Sequence, residues 1–453
     1  MTTVRSKGVP LLTGLVSLAL AITACGGGGS GGSNSTSGSK PVSQSAMKKA
    51  LNTPTTLTFW SWVPHLQDEV NLFEKAYPKI HVKLVNAGTG AAQYTKLRTV
   101  LKAGKGQPDV VQIEYQYLSS FTLGNNLMNL GPYGASKLKS RYPAWVWRQV
   151  SKGGAVYGIP QDTGPMGLLY RKDTLAANGI PVPKTWADFA NAAHKLHAKH
   201  SNQYLADMPG NDAGQFIGFI WQSGAHPFSY DGKKTVSINL TSPQAMKVVT
   251  YWQKLIHDGV IATDADFNNQ WYQGLSSGKY ASWPTAAWGP VFLQGTAKNT
   301  SGKWRATFLP QWTAGAHASG NWGGSTDAVL TSTNHKIAAA TLAQWINTNS
   351  QSAMDLATKQ FLFPTQKATL NNSSFINQKP AFYGGQQVNK IFVTSASHVN
   401  TNFDWLPFID YVYSDYGDTL GKAIADKGNM TAALKKWQND LVTYAKQQGF
   451  TVK

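Results

Sequence analysis

Between Leu57 and Ile113 the chain runs through five segments that alternate between strand-like and helix-like patterning, and this alternation restricts the fold more than any other feature. Leu57-Thr58-Phe59-Trp60 has the length and apolar character of a short strand. From Asp68 to Ala76, the residues Val70, Leu72, Phe73 and Ala76 share a helical face that Pro78 stops. Ile80, Val82 and Leu84 alternate with polar residues, as a strand does. Tyr94, Leu97, Val100 and Leu101 form a second helical face ending near Gly104, and Asp109 to Ile113 is again strand-like. Such an order predicts an α/β fold with a parallel sheet and right-handed crossovers. Ligands bind such sheets at the carboxyl ends of the strands. Those ends carry Ser61 and Trp62 after the first strand, and Glu114, Tyr115 and Tyr117 after the third.

The remainder of the body is mixed in the same way. Thr185-Trp186-Ala187-Asp188 reads as a capping box, with Asp in place of Glu, opening a helix through Leu196. Ser242-Pro243 supplies an N-cap and a first-position proline. Val248, Val249, Trp252, Leu255 and Ile256 follow on one face, and Gly259 is the stop. Met430 to Gln448 predicts a closing helix with Leu434, Trp437, Leu441 and Tyr444 on one side. No solenoid repeat is present. From Leu51 onward there are roughly 400 residues, too many for one core and suited to two lobes.

The N-terminus is organised differently. Arg5 and Lys7 precede an apolar stretch from Val9 to Ala21, too short to span a bilayer comfortably. A basic start, a short apolar core and small residues describe a secretory signal over residues 1–24. Ile22-Thr23-Ala24-Cys25 resembles the lipobox of bacterial lipoproteins, in which the cysteine after the cut receives lipid. Cys25 is the only cysteine, so no intramolecular disulfide or cysteine nucleophile is available elsewhere. Several acyl chains on one residue would anchor the protein stably at the outer face of the membrane. Gly26 to Ser45 is Gly/Ser-rich, and residues 25–50 are expected to be a linker. Its Gly28-x-Ser30-x-Gly32 match lacks the strand and helix of a hydrolase elbow.

The formal charge is +19, from 41 Lys+Arg against 22 Asp+Glu; loss of Arg5 and Lys7 with the signal leaves +17. The basic residues are scattered and the chain is exported, which argues against a nucleic-acid partner. An anionic envelope and an acidic habitat are both compatible with such a surface.

Several segments together resemble the family 1 extracellular solute-binding proteins, the maltose-binding-protein-like group. The opening is LTFWSW, LFEKAYPKIHVKLV and GQPDVVQIE. The central segments are Tyr157-Gly158-Ile159-Pro160, Gly167 to Asp173 and Pro183-Lys184-Thr185-Trp186. Asp264 to Trp288 and Gly320-Asn321-Trp322-Gly323-Gly324 continue the likeness. Arg171 stands where the family usually has Asn. The resemblance implies a two-lobed periplasmic-binding-protein fold of type II, with mixed sheets flanked by helices and three hinge crossings. These are expected near Thr163, Trp322 and Phe363, so residues 51–163 and 322–363 would form one lobe, and 164–321 and 364–453 the other. It also implies a non-catalytic protein that closes around a small molecule, a carbohydrate, and delivers it as a monomer to an ABC importer.

The chain holds 16 Trp, 18 Tyr and 18 Phe, enough to cover the C–H faces of sugars while carboxyl and amide groups serve the hydroxyls. The resemblance puts Trp288 at a stacking position, Asp162 at an acidic position of the first crossing and Trp405 on the later cleft face. Trp322 sits at the second crossing beside Gly323 and Gly324, which permit close backbone approach. Glu114, Tyr115, Trp62 and Ser61 enter from the strand ends, and Trp221 and Trp283 complete the candidates. The loop Trp62-Val63-Pro64-His65 departs from relatives that carry acidic or amide groups there.

His194, His197 and His200 spread over about 120° of a helix and read as a solvated helix end rather than a metal site. No P-loop, dinucleotide or HExxH signature is present, and no cofactor or metal is expected. Three rivals stand beside sugar capture. A glycoside hydrolase would need carboxyl groups facing each other across the bond. A binder of a phosphorylated polyol, polyamine or peptide would need other charges, and a sensory or adhesion lipoprotein would use the same fold without an importer.

Overall fold

The structure, a computed structural model, describes residues 40–453. The signal segment, Cys25 and the Gly/Ser run up to residue 39 lie outside the described residues. The linker expected to reach residue 50 stops earlier. Gln44–Leu51 is a helix whose N-cap Ser43 accepts from the Ala46 amide, with Lys48 and Lys49 in the last turn. This α-helix packs beside Lys336–Thr348, and the Val42 amide donates to Pro132 O at 2.9 Å.

The alternation at the start of the body becomes the first lobe. Thr55–Trp60 lies at the centre of three parallel strands, between Ile80–Val85 and Val110–Glu114. Two strands from later in the chain extend this sheet, and of these only Ser325–Val329 runs in the opposite sense. Ser325–Val329 pairs antiparallel with Val110–Glu114, and Ile159–Pro160 pairs antiparallel with Ser325–Val329. The parallel strands read from the first hundred residues thus belong to a mixed, five-stranded sheet, as the family resemblance implies. Ser325–Val329 is buried along its whole length, as a strand covered on both faces must be.

The second lobe is built on an antiparallel sheet in which Met166–Arg171 runs between Ser282–Ala286 and Trp304–Phe308. A smaller sheet joins Phe228–Tyr230, Thr235–Ile238 and Thr451–Val452. Its helices start where local chemistry dictates. Thr185 Oγ1 accepts from the Asp188 amide at 3.0 Å, and the Asp188 carboxylate accepts from the Thr185 amide at 2.9 Å. Those bonds hold the Asp188 carboxyl below its ordinary range. Trp186, Phe219, Tyr251, Trp252 and Trp312 pack edge-on or tilted behind this cap, with ring centroids 5.3–5.7 Å apart in successive pairs. Met430–Gln447 buries Leu434, Trp437 and Leu441 as expected. The three histidines go separate ways: His194 meets Asp258, His197 meets Gln203 O and His200 meets Asn178 Oδ1.

The three stretches where crossings are expected lie side by side. The Thr163 amide donates to Phe363 O at 3.1 Å, and the Trp322 amide donates to Gly164 O at 2.8 Å. Asn321 Oδ1 accepts from the Gly164 amide, and its Nδ2 donates to Gly323 O. Residues just beyond Phe363 still rest on the first lobe: Thr365 bonds Pro160 O, and Lys367 Nζ bonds Ser140 O.

Candidate functional site

On the first lobe the site begins where strands end. Glu114 closes its strand and the helix Tyr115–Leu123 starts at the next residue. Its Oε2 accepts from the Tyr94 hydroxyl at 3.0 Å, while its amide donates to the same phenol oxygen at 2.9 Å. Burial pushes the Glu114 carboxyl up to about 7, and the charges of Asp162 and Asp212 push in the same direction. Asp162 Oδ1 accepts from the Ser325 amide at 2.7 Å, which ties the first crossing to the strand after the second. Burial raises that carboxyl to about 6. Tyr115 is buried, and its hydroxyl donates to Asp162 O at 2.9 Å. Gly324, at φ +101, is what allows this ring in: a Cβ there would stand 2.5 Å from Tyr115 Cε2. Ser61 is also buried, donating to Gln112 Oε1 at 2.7 Å, and the Trp62 amide shares that acceptor at 3.0 Å. The Trp62 ring stands edge-on to Tyr94, half-buried.

The second lobe and the second crossing contribute aromatic surface. Trp288 is half-buried and its indole N–H donates to Trp322 O at 2.9 Å. The two rings meet edge to face with centroids 4.6 Å apart. Trp283 lies behind them, 5.9 Å from Trp288 and only 3% exposed. Phe267 packs on the outer side of the same group, 5.9 Å from Trp288 and 6.0 Å from Trp322.

Sequence reasoning missed four contributors. Asp212 caps the helix Ala213–Gln222, accepting from the Gln215 amide at 2.8 Å. Asp266 is cross-bonded to Asn211. Tyr413 and Tyr416 face these acids from the C-terminal part of the chain. Burial raises both Asp212 and Asp266, and the Asp212 charge raises Asp266 further. The cap pattern at Asp212 was visible in the sequence; its nearness to Glu114 was not. Two carboxyl groups from each side thus converge, where Glu114 and Asp162 of one lobe were expected alone. None of the four forms an ion pair among the described residues. Without counter-cations, Glu114 and Asp266, raised to about 7 and about 8, keep protons near neutral pH and can donate hydrogen bonds, while Asp162 and Asp212, raised to about 6, accept them. That chemistry suits hydroxyl groups and offers nothing to a phosphate.

Trp221 and Trp405 lie apart from this group. The Trp221 face is covered by Phe403 at 3.9 Å and 7° between planes, and its N–H donates to Asn400 O. Trp405 stands edge-on to Phe403 and, with Tyr115, Tyr157, Arg148 and Lys152, lines a pocket of about 110 Å³. Beside it the lobes touch. Asp404 receives Arg148 at 2.9 Å and Lys152 at 3.2 Å. Arg98 reaches Asp410, Trp145 Nε1 donates to Ala396 O, and Tyr117 meets Tyr413 edge-on.

Comparison with known proteins bears on this arrangement. The profile of the bacterial extracellular solute-binding proteins matches residues 60–353. A lactose-binding protein of Rhizobium radiobacter is 28% identical over 409 residues, spanning 84% of this chain and 88% of the relative. An arabinooligosaccharide-binding protein of Bacillus subtilis (strain 168) is 26% identical over 293 residues, 62% of this chain and 66% of the relative. Among solved structures, an ABC transporter associated binding protein from B. animalis subsp. lactis Bl-04, in complex with beta-1,6-galactobiose, is similar with a TM-score of 0.78. It is 31% identical, and the match covers 89% of this chain and 100% of that one.

Proposed function

This chain belongs to the bacterial extracellular solute-binding protein family, and from that premise we propose that it captures a mono- or oligosaccharide between its lobes and presents it to an ABC-type importer. One observation carries the reading: an edge-to-face Trp288–Trp322 pair stands with buried Asp162 and half-buried Glu114 and Asp212, carboxyl groups without counter-cations. Rings cover the C–H face of a sugar, and the carboxyl groups take its hydroxyls. The lactose-, arabinooligosaccharide- and galactobiose-binding relatives support the same class. Proteins of this family bind and release without catalysis.

Trp288, Trp322, Glu114 and Asp162 form the centre of the proposed contact, flanked by Trp62, Ser61 and Tyr115. Trp405 acts from the neighbouring pocket, while Trp221 and Trp283 serve as packing beneath the contact surface. The hydrogen-bonded stretches around Thr163, Trp322 and Phe363 act as the hinge. A ligand favours closure only by the extra affinity it has for the closed form. Cys25, as the single cysteine after an Ile-Thr-Ala segment, is the proposed lipid anchor, holding a monomer at the outer face of the cell membrane.

A polyamine is the second reading, favoured by the four converging carboxyl groups. The raised proton affinities of Glu114 and Asp266 weaken it, because a protonated acid does not attract a cation. A thermal-shift screen of the purified protein with mono-, di- and oligosaccharides, a polyamine and a polyol phosphate separates these. A ligand at 100 times its Kd stabilises by about 2.7 kcal/mol. A shift with a neutral sugar alone is the expected result. A shift with the polyamine or the phosphate ester and none with sugars would replace the carbohydrate assignment.

A further inference from the structure

The positive charge is spread along the sequence but gathered on the surface, because acids are missing from whole segments. The first acid of the chain is Asp68. Between Glu114 and Asp162 there is none, and Lys137, Lys139, Arg141, Arg148 and Lys152 fall in that interval. Between Asp355 and Asp404 there is again none. Folding brings these three acid-free stretches together at the first lobe. The Val42 amide donates to Pro132 O, directly before the 3-10 helix Ala135–Arg141. Lys367 Nζ donates to Ser140 O at 3.1 Å, which fastens the third stretch to the same helix.

The result is an open groove of about 810 Å³ whose lining includes Lys137, Lys139, Arg148, Lys152 and Lys367. Asp404 is the one acid lining it, and Arg148 and Lys152 already engage that carboxylate. Arg141 continues the strip into a neighbouring hollow that shares Lys367. Lys137, Lys139, Arg141 and Lys367 are exposed, and none has an acidic partner among the described residues. Cations held this close repel one another, and an anionic surface relieves that repulsion. The large exposed apolar side chains of the described residues, among them Leu123, Phe292 and Phe361, all lie outside the groove. This face is therefore suited to charge and not to insertion into lipid.

The entry point of the chain indicates the occupant. Cys25, the proposed lipid anchor, is 15 residues before Lys40. Even a fully extended chain of that length keeps the body within about 54 Å of an acylated Cys25. A body held so near samples the bilayer surface, where anionic headgroups attract clustered Lys and Arg over about a Debye length, ~8 Å at physiological salt. We propose that the surface of Lys137, Lys139, Arg141 and Lys367 docks the first lobe on the anionic lipid headgroups of the membrane that carries the anchor. Its proximity rests on the lipid-anchor reading above, and its chemistry rests on the charge distribution alone. Docking through the first lobe leaves the second free to move about the hinge.

The test is a vesicle-sedimentation titration of the exported chain, residues 25–453, carrying Cys25→Ser so that no acyl group contributes. The protein binds vesicles of equimolar phosphatidylcholine and phosphatidylglycerol, does not bind phosphatidylcholine alone, and releases as salt is raised. Lys137→Gln, Lys139→Gln, Arg141→Gln and Lys367→Gln combined weaken this binding at least about 100-fold, since each basic residue at an anionic surface contributes about fivefold. The sugar affinity and melting temperature of that variant stay native. The same charge removed from the second lobe, by Lys427→Gln, Lys435→Gln, Lys446→Gln and Lys453→Gln, changes vesicle affinity less than about threefold. Equal losses in the two variants, or equal binding to neutral vesicles, overturns the assignment. So does capture of a soluble polyol-phosphate polymer with no binding to vesicles, which would make a polymer the occupant. Protein taken from cells without acyl mass on Cys25 overturns the anchor reading and the docking with it, a result distinct from the vesicle comparisons.

Discussion

Two aromatic groups in this molecule are built from the same residue types and end in opposite conditions. Around Trp221, the rings of Phe403 and Trp405 close over one another, face to face and edge to face, and the Trp221 indole N–H is satisfied by Asn400. Around Trp288, the rings of Trp322 and Phe267 meet at edges and tilts, and Trp288 remains half-buried. The first group spends its faces on itself. The second keeps faces free, and it alone has uncompensated acids packed beside it. An aromatic residue is a ligand platform only when its neighbours decline to cover it, and that depends on tertiary arrangement rather than on the residue.

The sharpest way to break the contrast is to truncate one member of each group. Trp221→Ala should cost about 3–5 kcal/mol of stability, as large-to-small changes in a full core do, and leave the affinity of the folded fraction unchanged. Denaturant unfolding and sugar titration read the two quantities separately. Trp288→Ala should do the reverse, weakening sugar binding roughly 100-fold with little change in melting. Equal effects of both variants on binding would erase the distinction.

A smaller effect follows from the acids. Burial lifts Asp207, Asp327 and Glu114 to about 7, each from an ordinary value near 4. In the folded state these groups keep protons that the unfolded chain has already released. The stability they confer is therefore complete below about pH 4 and is lost as pH climbs through 7. The melting temperature at pH 5 should exceed that at pH 8 in a calorimetric scan. Asp264, held below its ordinary range with Lys279 and Tyr280 as partners, titrates under that window and does not reverse the trend. A melting temperature that rises from pH 5 to pH 8 would mean that the acids beside the open group are ionised and otherwise compensated.

The smallest expected effect tests whether the closed group has any functional role. Asp404 lies between Phe403 and Trp405 and holds Arg148 and Lys152 from the other lobe. Asp404→Asn should weaken ligand binding by no more than about 1 kcal/mol, with the loss shrinking in high salt, because these are partly exposed pairs.

Much of the scaffold was legible. The strands and helices between residues 55 and 114, the Thr185–Asp188 cap and the Met430–Gln447 helix all follow from local pattern. What local pattern could not supply was partnership across distance. Trp221 and Trp288 look alike in sequence, and the ring that covers Trp221 belongs to Phe403, far along the chain. Local alternation likewise announced only the parallel part of the first sheet, and its mixed character followed from the family resemblance, because two of its strands come from outside that segment. The helix Gln44–Leu51 was hidden by the polar run before it.

The place of Ser325–Val329 in the first sheet has a consequence for how the protein is made. Thr326 bonds Ile113 O across a separation of 213 residues, and on its other side the same strand holds Ile159–Pro160. A chain delivered from its N-terminus cannot complete that sheet until Val329 has emerged. Loop closure over such a span is slow. Most of the polypeptide is thus synthesised before its first lobe can lock, which leaves a window in which the chain is still extended enough to be exported.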